Sequence, residues 1–334
     1  MQLSPKQQKL LKVASVPLFY GAALLVFVRL TFPYETLKNR IEAEYNSSQK
    51  EKRLEIAELS GSGLLGVEAK GVKMSEVSVQ MLDGKPVPRA QLLIERVSVG
   101  VSPLSYLFGT ISVDFDSELG GGELNGSFIQ NDEEARISIV ADSIDVSEVT
   151  LLSSSLGLPL GGELKGKVEL FLPLGQMKKA EGTFDLAIDQ LSVGDGKAKI
   201  RDTIALPKIN AGNLVFKAEA ADGRLEISEF SADGRDFKLD AEGKMRLREP
   251  FEKSSLNLNA TFAFKEAYTN KSDLTKSLFG SKDSKVPALF DMDPSVRRAK
   301  GADGSYSWQV TGLLSNPNFR PGRKSKPSSS KKKK

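Results

Sequence analysis

Beyond residue 60 the chain alternates apolar and polar positions with a period of two. In LNLNATFAF, Leu256, Leu258, Ala260, Phe262 and Phe264 fall on one side and Asn257, Asn259, Thr261 and Ala263 on the other, the pattern of a half-buried strand. Phe184, Leu186 and Ile188 repeat it, and so do Tyr306, Trp308 and Val310. Turn signals separate these runs: Ala-Asp-Gly at 221, 232 and 302, Asp-Gly-Lys at 83 and Gly-Asp-Gly at 194. Short strands joined by tight turns predict a mainly β protein, one large curled antiparallel meander with short helical insertions. The phrase GGELNG at 121 returns as GGELKG at 161, which suggests a repeated β unit. Two helical patches interrupt the alternation, DVSEVTLLSSSLG with Asp145 or Ser147 as its cap and a stretch from Glu266 to Leu278.

The first sixty residues follow other rules. From Val13 to Val28 there is no charge, and sixteen helical residues reach only about 24 Å against a hydrocarbon core of about 30 Å. Extending through Leu30 to Phe32 gives twenty residues, enough to span. Arg29 then sits at an interface, its stem along apolar surface and its guanidinium at headgroup level. Pro33 is a natural stop. The residues after the apolar run, RLTFPYE, lack the small side chains of a signal-peptide cleavage site, and the 13 to 28 stretch lacks the polar face of a soluble core helix. A membrane anchor is the reading favoured over those two. Lys6, Lys9 and Lys12 precede it without an acid and favour a cytoplasmic N-terminus, a bias weakened by Arg29, Lys38 and Arg40 beyond it. Lys12, Arg29, Pro33 and Tyr34 are the expected membrane-interface residues. After Pro33, Leu37, Ile41 and Tyr45 recur at helical spacing among charges, predicting an amphipathic helix that caps the next domain.

The expected layout is therefore a cytoplasmic N-terminus over 1–12, a transmembrane helix over 13–32, a juxtamembrane helix over 33–58, a β domain over 59–319 and a disordered basic tail over 320–334.

The 334 residues include 47 Lys and Arg and 43 Asp and Glu, but eight of the basic ones lie in the last fifteen residues. Without that tail 39 basic residues face 43 acidic ones, so charge gives the body no nucleic-acid-binding character. There is no Cys and no His. Disulfides, thiol nucleophiles, Cys/His zinc sites and His-dependent catalysis are excluded.

Motifs suggesting other chemistry lack its context. Gly61, Gly63 and Gly66 match a dinucleotide-binding spacing, yet no βαβ unit follows. GGELKGK at 161 matches the start of a phosphate loop, but Val168 replaces the Ser or Thr needed for Mg and opens a strand. The Asp-rich RDFKLDAEG and FDMDPSV lack calcium-loop spacing. No catalytic, cofactor or metal residue is assigned.

Three stretches carry a family resemblance. TFPYETLKNRI, LGLPLGGELKGKVELFLPLGQMKKAEGTFDLAIDQLSVGDGK and LPKINAGNLVFKAEAADGRLEISEFSADGRDFKLDAEGKMRLREPF resemble the GspN family, the type II secretion system protein N homologues of delta-proteobacterial type. ADGSYSWQVTGLLSNPNFRP fits as well, so the likeness spans roughly 15 to 320; Leu206, Pro207, Ile209 and Gly212 are among its more specific positions. The resemblance implies a single-pass inner-membrane protein with a periplasmic β domain, working with the secretion platform or the outer-membrane secretin. It brings no catalytic residues. The β region is also similar in style to AsmA-like proteins, whose curled sheets hold lipid in an apolar groove, so a lipid-binding or lipid-transfer module is the alternative.

Overall fold

The computed structural model describes residues 5–49, 52–63, 65–82, 85–150, 153, 158–196, 199–200, 204–205, 207–280 and 288–322. The basic residues from 323 onward and the GSKDSK loop beyond Gly280 lie outside them.

Two helices open the chain, α1 (Pro5–Thr31) and α2 (Tyr34–Ser48), bent by 62° at Phe32 and Pro33. Fourteen strands follow in one antiparallel sheet: β1 (Lys52–Ser62), β2 (Gly66–Leu82), β3 (Lys85–Val101), β4 (Ile111–Leu119), β5 (Gly122–Gln130), β6 (Glu134–Asp145), β7 (Leu160–Pro173), β8 (Glu181–Val193), β11 (Ile209–Ala221), β12 (Arg224–Asp233), β13 (Phe237–Arg246), β14 (Ser255–Phe264), β15 (Tyr306–Leu313) and β16 (Asn316–Pro321). A small side hairpin, β9 (Lys199–Ile200) and β10 (Ile204–Ala205), lies in the β8–β11 connection. Spatial order in the large sheet is chain order, and the sheet does not close on itself. Each strand pairs with its neighbour in the sheet's chain order without a crossover, through connections that range from tight turns to the helical insertion between β14 and β15.

Register carries one apolar row across ten strands. Leu59 opposes Ala69, then Val97, Ser117, Leu124, Ala141, Gly166, Leu186, Phe216 and Phe230 follow in turn. Directly opposed residues share a face, so a one-residue slip in any pair would turn this row to the polar side. Only Ser117 interrupts it with a hydroxyl.

Helices cover this apolar face at its two ends. At one end Leu37, Ile41 and Tyr45 of α2 pack on Leu54, Ile56 and Leu59 of β1 and Ala69 and Val72 of β2. At the other, the insertion between β14 and β15 supplies Tyr268, Phe279 and Phe290, which meet Phe264 and Tyr306 of the sheet, themselves in ring contact with Phe262. Between them a cluster runs from Phe128 and Ala135 through Leu172, Ala218 and Leu225 to Leu247 and Leu256. Met177, in the β7–β8 turn, packs against that cluster.

Two helix boundaries differ from expectation. The juxtamembrane helix, expected to reach residue 58, stops at Ser48, and β1 opens at Lys52. RLEIAEL alternates apolar and charged residues, and sheet pairing with β2 decides its conformation. The helix expected from Glu266 to Leu278 is two helices, Glu266–Thr269 and Asp273–Phe279. Ser272 breaks it by forming a capping box with Thr275, a local hydrogen-bonding alternative to a continuous helix. In DVSEVTLLSSSLG, the Asp145 carboxylate accepts from the Ser147 N–H at 2.8 Å in a turn over 146–148, and Thr150 and Ser153 beyond it are helical, as expected. Residues 151–152 and 154–157 lie outside the described ones.

GSGLLG spans the turn between β1 and β2, and GGELKGK lies within β7, so neither stands before a helix. At the C-terminal end β16 runs through Pro321, two residues beyond the expected limit of the β domain.

Candidate functional site: the helix-to-sheet joint and the two sheet faces

The joint between α2 and β1 is built from side chains that bond to backbone. Tyr45 and Ile41 point at the apolar face, and one position beyond each, Asn46 and Glu42 reach the free edge of β1. The Asn46 amide donates to the Leu54 carbonyl at 3.1 Å and accepts from the Leu54 N–H at 2.8 Å. Glu42 Oε1 accepts from the Ile56 N–H at 2.6 Å. These contacts supply part of the ladder that an edge strand lacks, and they bury the edge under a helix. Their trace in the amino-acid sequence is faint: Glu42 and Asn46 are four residues apart and run beside the apolar stripe.

Of the expected membrane-interface residues, Arg29, Pro33 and Tyr34 lie at this joint. Arg29 donates to the carbonyls of Gly61, at 3.3 Å near the end of β1, and Gly63, in the β1–β2 turn. Its guanidinium, expected at headgroup level, thus also meets carbonyls at the end of the first hairpin, where Gly61 pairs with Val67 and Gly63 lies in the turn. Tyr34 stacks near Phe32 with ring centroids 4.9 Å apart, and both border a cavity of about 160 Å³ with Arg29 and Leu65. Pro33 sits at the bend. Lys12 lies within α1, and its side chain is outside the described ones. Among the described residues no single helix is long and apolar enough to cross a membrane; the bent pair Ser15–Thr31 with Tyr34–Ser48 passes that test together.

Toward the middle of the apolar face, Val149 of the β6–β7 connection packs in a cluster with Leu124, Ala141 and Ile144. Among the described residues, helices sit at the ends of this face, and Ile139, Val168, Leu186 and Phe216 between them are half-buried. The opposite face is polar and holds two broad depressions, about 1420 and 1050 Å³. The first is lined by Glu219, Arg224, Glu226, Lys244, Arg246 and Glu249, with Lys244 and Glu226 paired at 3.2 Å across adjacent strands. The second is lined by Glu229, Asp240, Glu242, Asn259, Gln309 and Arg320. Broad, open and charged on both signs, these surfaces suit a protein partner better than a small ligand, whose sites are enclosed and mostly apolar.

One buried charge organises the far end. Asp236 is 1% exposed and accepts from the Asn210 N–H at 2.9 Å and Arg235 Nε at 3.1 Å, with Lys271 Nζ at 3.6 Å. Burial pushes its carboxyl up, but Arg235, the Asn210 amide and Lys271 outweigh burial and hold it below the ordinary carboxylate range. Tyr268, fully buried beside it, donates to the Pro207 carbonyl at 2.8 Å, and burial raises its phenol to about 12. Both join strands to the helical insertion. Among the described residues no group of three or more Asp and Glu is placed to hold a metal ion. Within RDFKLDAEG, Asp236 is this buried carboxylate, bonded to Asn210 and Arg235 and paired with Lys271.

Comparison with known protein families, characterised proteins and solved structures returns no match.

Proposed function

We propose that this protein is a non-enzymatic, membrane-anchored scaffold of the cell envelope. In line with its GspN-like sequence, we assign it to a type II secretion apparatus, with its N-terminus cytoplasmic and its sheet periplasmic. The observation that carries the scaffold reading is the joint. A long apolar helix is tied through Arg29, Glu42 and Asn46 to the first strands of a sheet whose polar face is broad and charged. Such a tie gives the sheet a set orientation relative to a bilayer crossed by α1. The secretion assignment rests on the sequence resemblance. Its test is co-purification of platform or secretin subunits with the detergent-solubilised full chain, joined to a secretion assay after deletion. Unimpaired secretion with no partner recovered would sink it.

A second reading is favoured by the half-buried apolar residues of β6 to β11: acyl chains lie there, as in AsmA-like proteins. Half-buried aliphatic and aromatic side chains along consecutive strands offer an apolar surface of the kind that marks lipid or partner binding. Native mass spectrometry of the full chain released from mild detergent tests it. Bound phospholipid supports this reading, and a consistently lipid-free spectrum overturns it.

A further inference from the structure

The connection between β3 and β4 is the most apolar exposed segment of the described β region. Leu104, Tyr106, Leu107 and Phe108 are 66%, 70%, 77% and 85% exposed. They sit on a short helix, α3 (Pro103–Leu107), and its C-cap, and no residue of that helix is buried. Its backbone is nonetheless firmly tied. Ser102 caps the helix through the Ser105 N–H, Thr110 N–H donates to the Ser105 carbonyl at 2.9 Å, and Ser102 N–H donates to Ser112. The tip is a well-bonded turn that holds its large side chains out. From Val97 to Val113 the chain has no charged residue, although Asp, Glu, Lys and Arg make up 27% of the protein.

The place of this tip in the fold points to its occupant. Antiparallel order puts the β1–β2 and β3–β4 turns at the same end of the sheet. They are joined directly: the Val101 N–H donates to the Leu65 carbonyl at 3.4 Å, and Gly66 opposes Gly100. The β1–β2 hairpin end is the one that Arg29, near the end of α1, holds by the Gly61 and Gly63 carbonyls. So the tip lies one strand pair from the apolar helix, with Leu65 and Ile111, 41% and 45% exposed, beside it. At the opposite end the exposed Leu289 and Met292 flank Asp291 and Asp293, and the charge-free character is missing.

We propose that the β3–β4 tip, Ser102 to Thr110, is a second membrane contact that dips into the interface of the bilayer anchored by α1. Leu and Phe enter the acyl boundary, while the Tyr106 ring with its hydroxyl suits headgroup depth. With two contacts the sheet cannot swing about the Pro33 bend; its β1–β4 corner is pinned to the surface. This inference rests on α1 being a membrane anchor, and the test separates the two.

The natural chain has no cysteine, so single Cys variants take one fluorophore each. Leu107→Cys, Phe27→Cys and Glu226→Cys full-length proteins, each carrying a polarity-sensitive NBD label, are reconstituted in phosphatidylcholine and phosphatidylglycerol vesicles, with and without lipids bearing a nitroxide at a shallow acyl carbon. The expected result is a blue shift and nitroxide quenching at positions 27 and 107, and neither at 226. Quenching at 27 without quenching at 107 overturns the tip contact and leaves the anchor standing. No quenching at either overturns both. A blue shift at 107 without quenching, growing with protein-to-lipid ratio, assigns the tip to a second copy and overturns the bilayer contact. A Leu104→Ser/Phe108→Ser background, which removes no buried side chain, should abolish quenching at 107 and preserve it at 27. Retained quenching at 107 in that background overturns the proposal too.

Discussion

Removing the Asn46 amide tests the joint most directly. In Asn46→Ala, Leu54 loses both an acceptor for its N–H and a donor for its carbonyl. Each hydrogen bond contributes about 0.5–1.5 kcal/mol net, and the site is only partly buried, so water recovers some of it. The local cost is therefore about 1–2 kcal/mol, a factor of about 5–30 in the opening equilibrium of the joint. Leu37, Ile41 and Tyr45 still hold α2 by packing, so the helix stays docked in the ground state. The assay is residue-resolved hydrogen exchange on the full chain in detergent. Leu54 should lose protection by that factor, and Ile56, held by Glu42, by less. Asn46→Asp sharpens the test. Its carboxylate still accepts from the Leu54 N–H but meets the Leu54 carbonyl as a second acceptor, so protection should fall at neutral pH and partly return once the carboxyl protonates, near pH 4. Unchanged Leu54 protection in Asn46→Ala would refute the view that this side chain completes the sheet edge.

Three further outcomes follow from the far end and the turns. Asp236→Ala orphans the Asn210 N–H, while the more exposed Arg235 and Lys271 resolvate, so denaturant unfolding should show a loss of about 1–3 kcal/mol. Because the folded carboxyl sits below its unfolded value, that stabilisation is present above about pH 4 and fades as pH falls through the folded value; Asp236→Asn should lack this acid dependence. Tyr268 behaves oppositely. Its phenol is raised to about 12, so stability drops as pH climbs beyond the unfolded value of about 10, and Tyr268→Phe should flatten that alkaline loss while costing about 1 kcal/mol at neutral pH for the bond to Pro207. Gly223 and Gly109 separate strain from collision, since both have positive φ, +66° and +74°. Gly109→Ala meets open space and should cost about 1–2 kcal/mol in thermal unfolding. Gly223→Ala drives a methyl into the Lys178 backbone and should cost more than about 3 kcal/mol.

What the sequence reveals of this fold depends on how local the cause is. Period-two alternation at Phe184–Ile188, Leu256–Phe264 and Tyr306–Val310 reads directly as strand, because a half-buried sheet needs nothing else of those residues. Leu37, Ile41 and Tyr45 read as a packing stripe for the same reason, and they pack as one. The edge contacts of Asn46 and Glu42 were not legible, since a polar residue beside an apolar stripe is ordinary solvent-facing helix until a strand edge lies against it. Arg29 shows the same limit. Its cost at the end of an apolar run is visible in sequence, but the two hairpin carbonyls it finds are 32 and 34 residues away. The aromatic seal of the far end is likewise tertiary: Phe279 and Phe290 reach Phe264 from separate helical pieces. Alternation at Phe262 and Phe264 states only that something must cover them.

Both free edges are managed, and that bears on how a partner binds. An open sheet of fourteen strands presents one unpaired ladder at β1 and another at β16, each a template for strand addition. At β1, Glu42 and Asn46 occupy the ladder groups of Ile56 and Leu54, and α2 lies over the face behind them. At β16 the strand is six residues long, and two of those, Pro317 and Pro321, have no N–H to give. Strand addition is thus disfavoured at each end for a different reason, one by cover and one by composition. Partners are left with faces and tips: the charged depressions over β11 to β15, the half-buried apolar middle and the β3–β4 turn. These surfaces differ in chemistry, so the proposed protein, acyl-chain and bilayer contacts would not compete for one site.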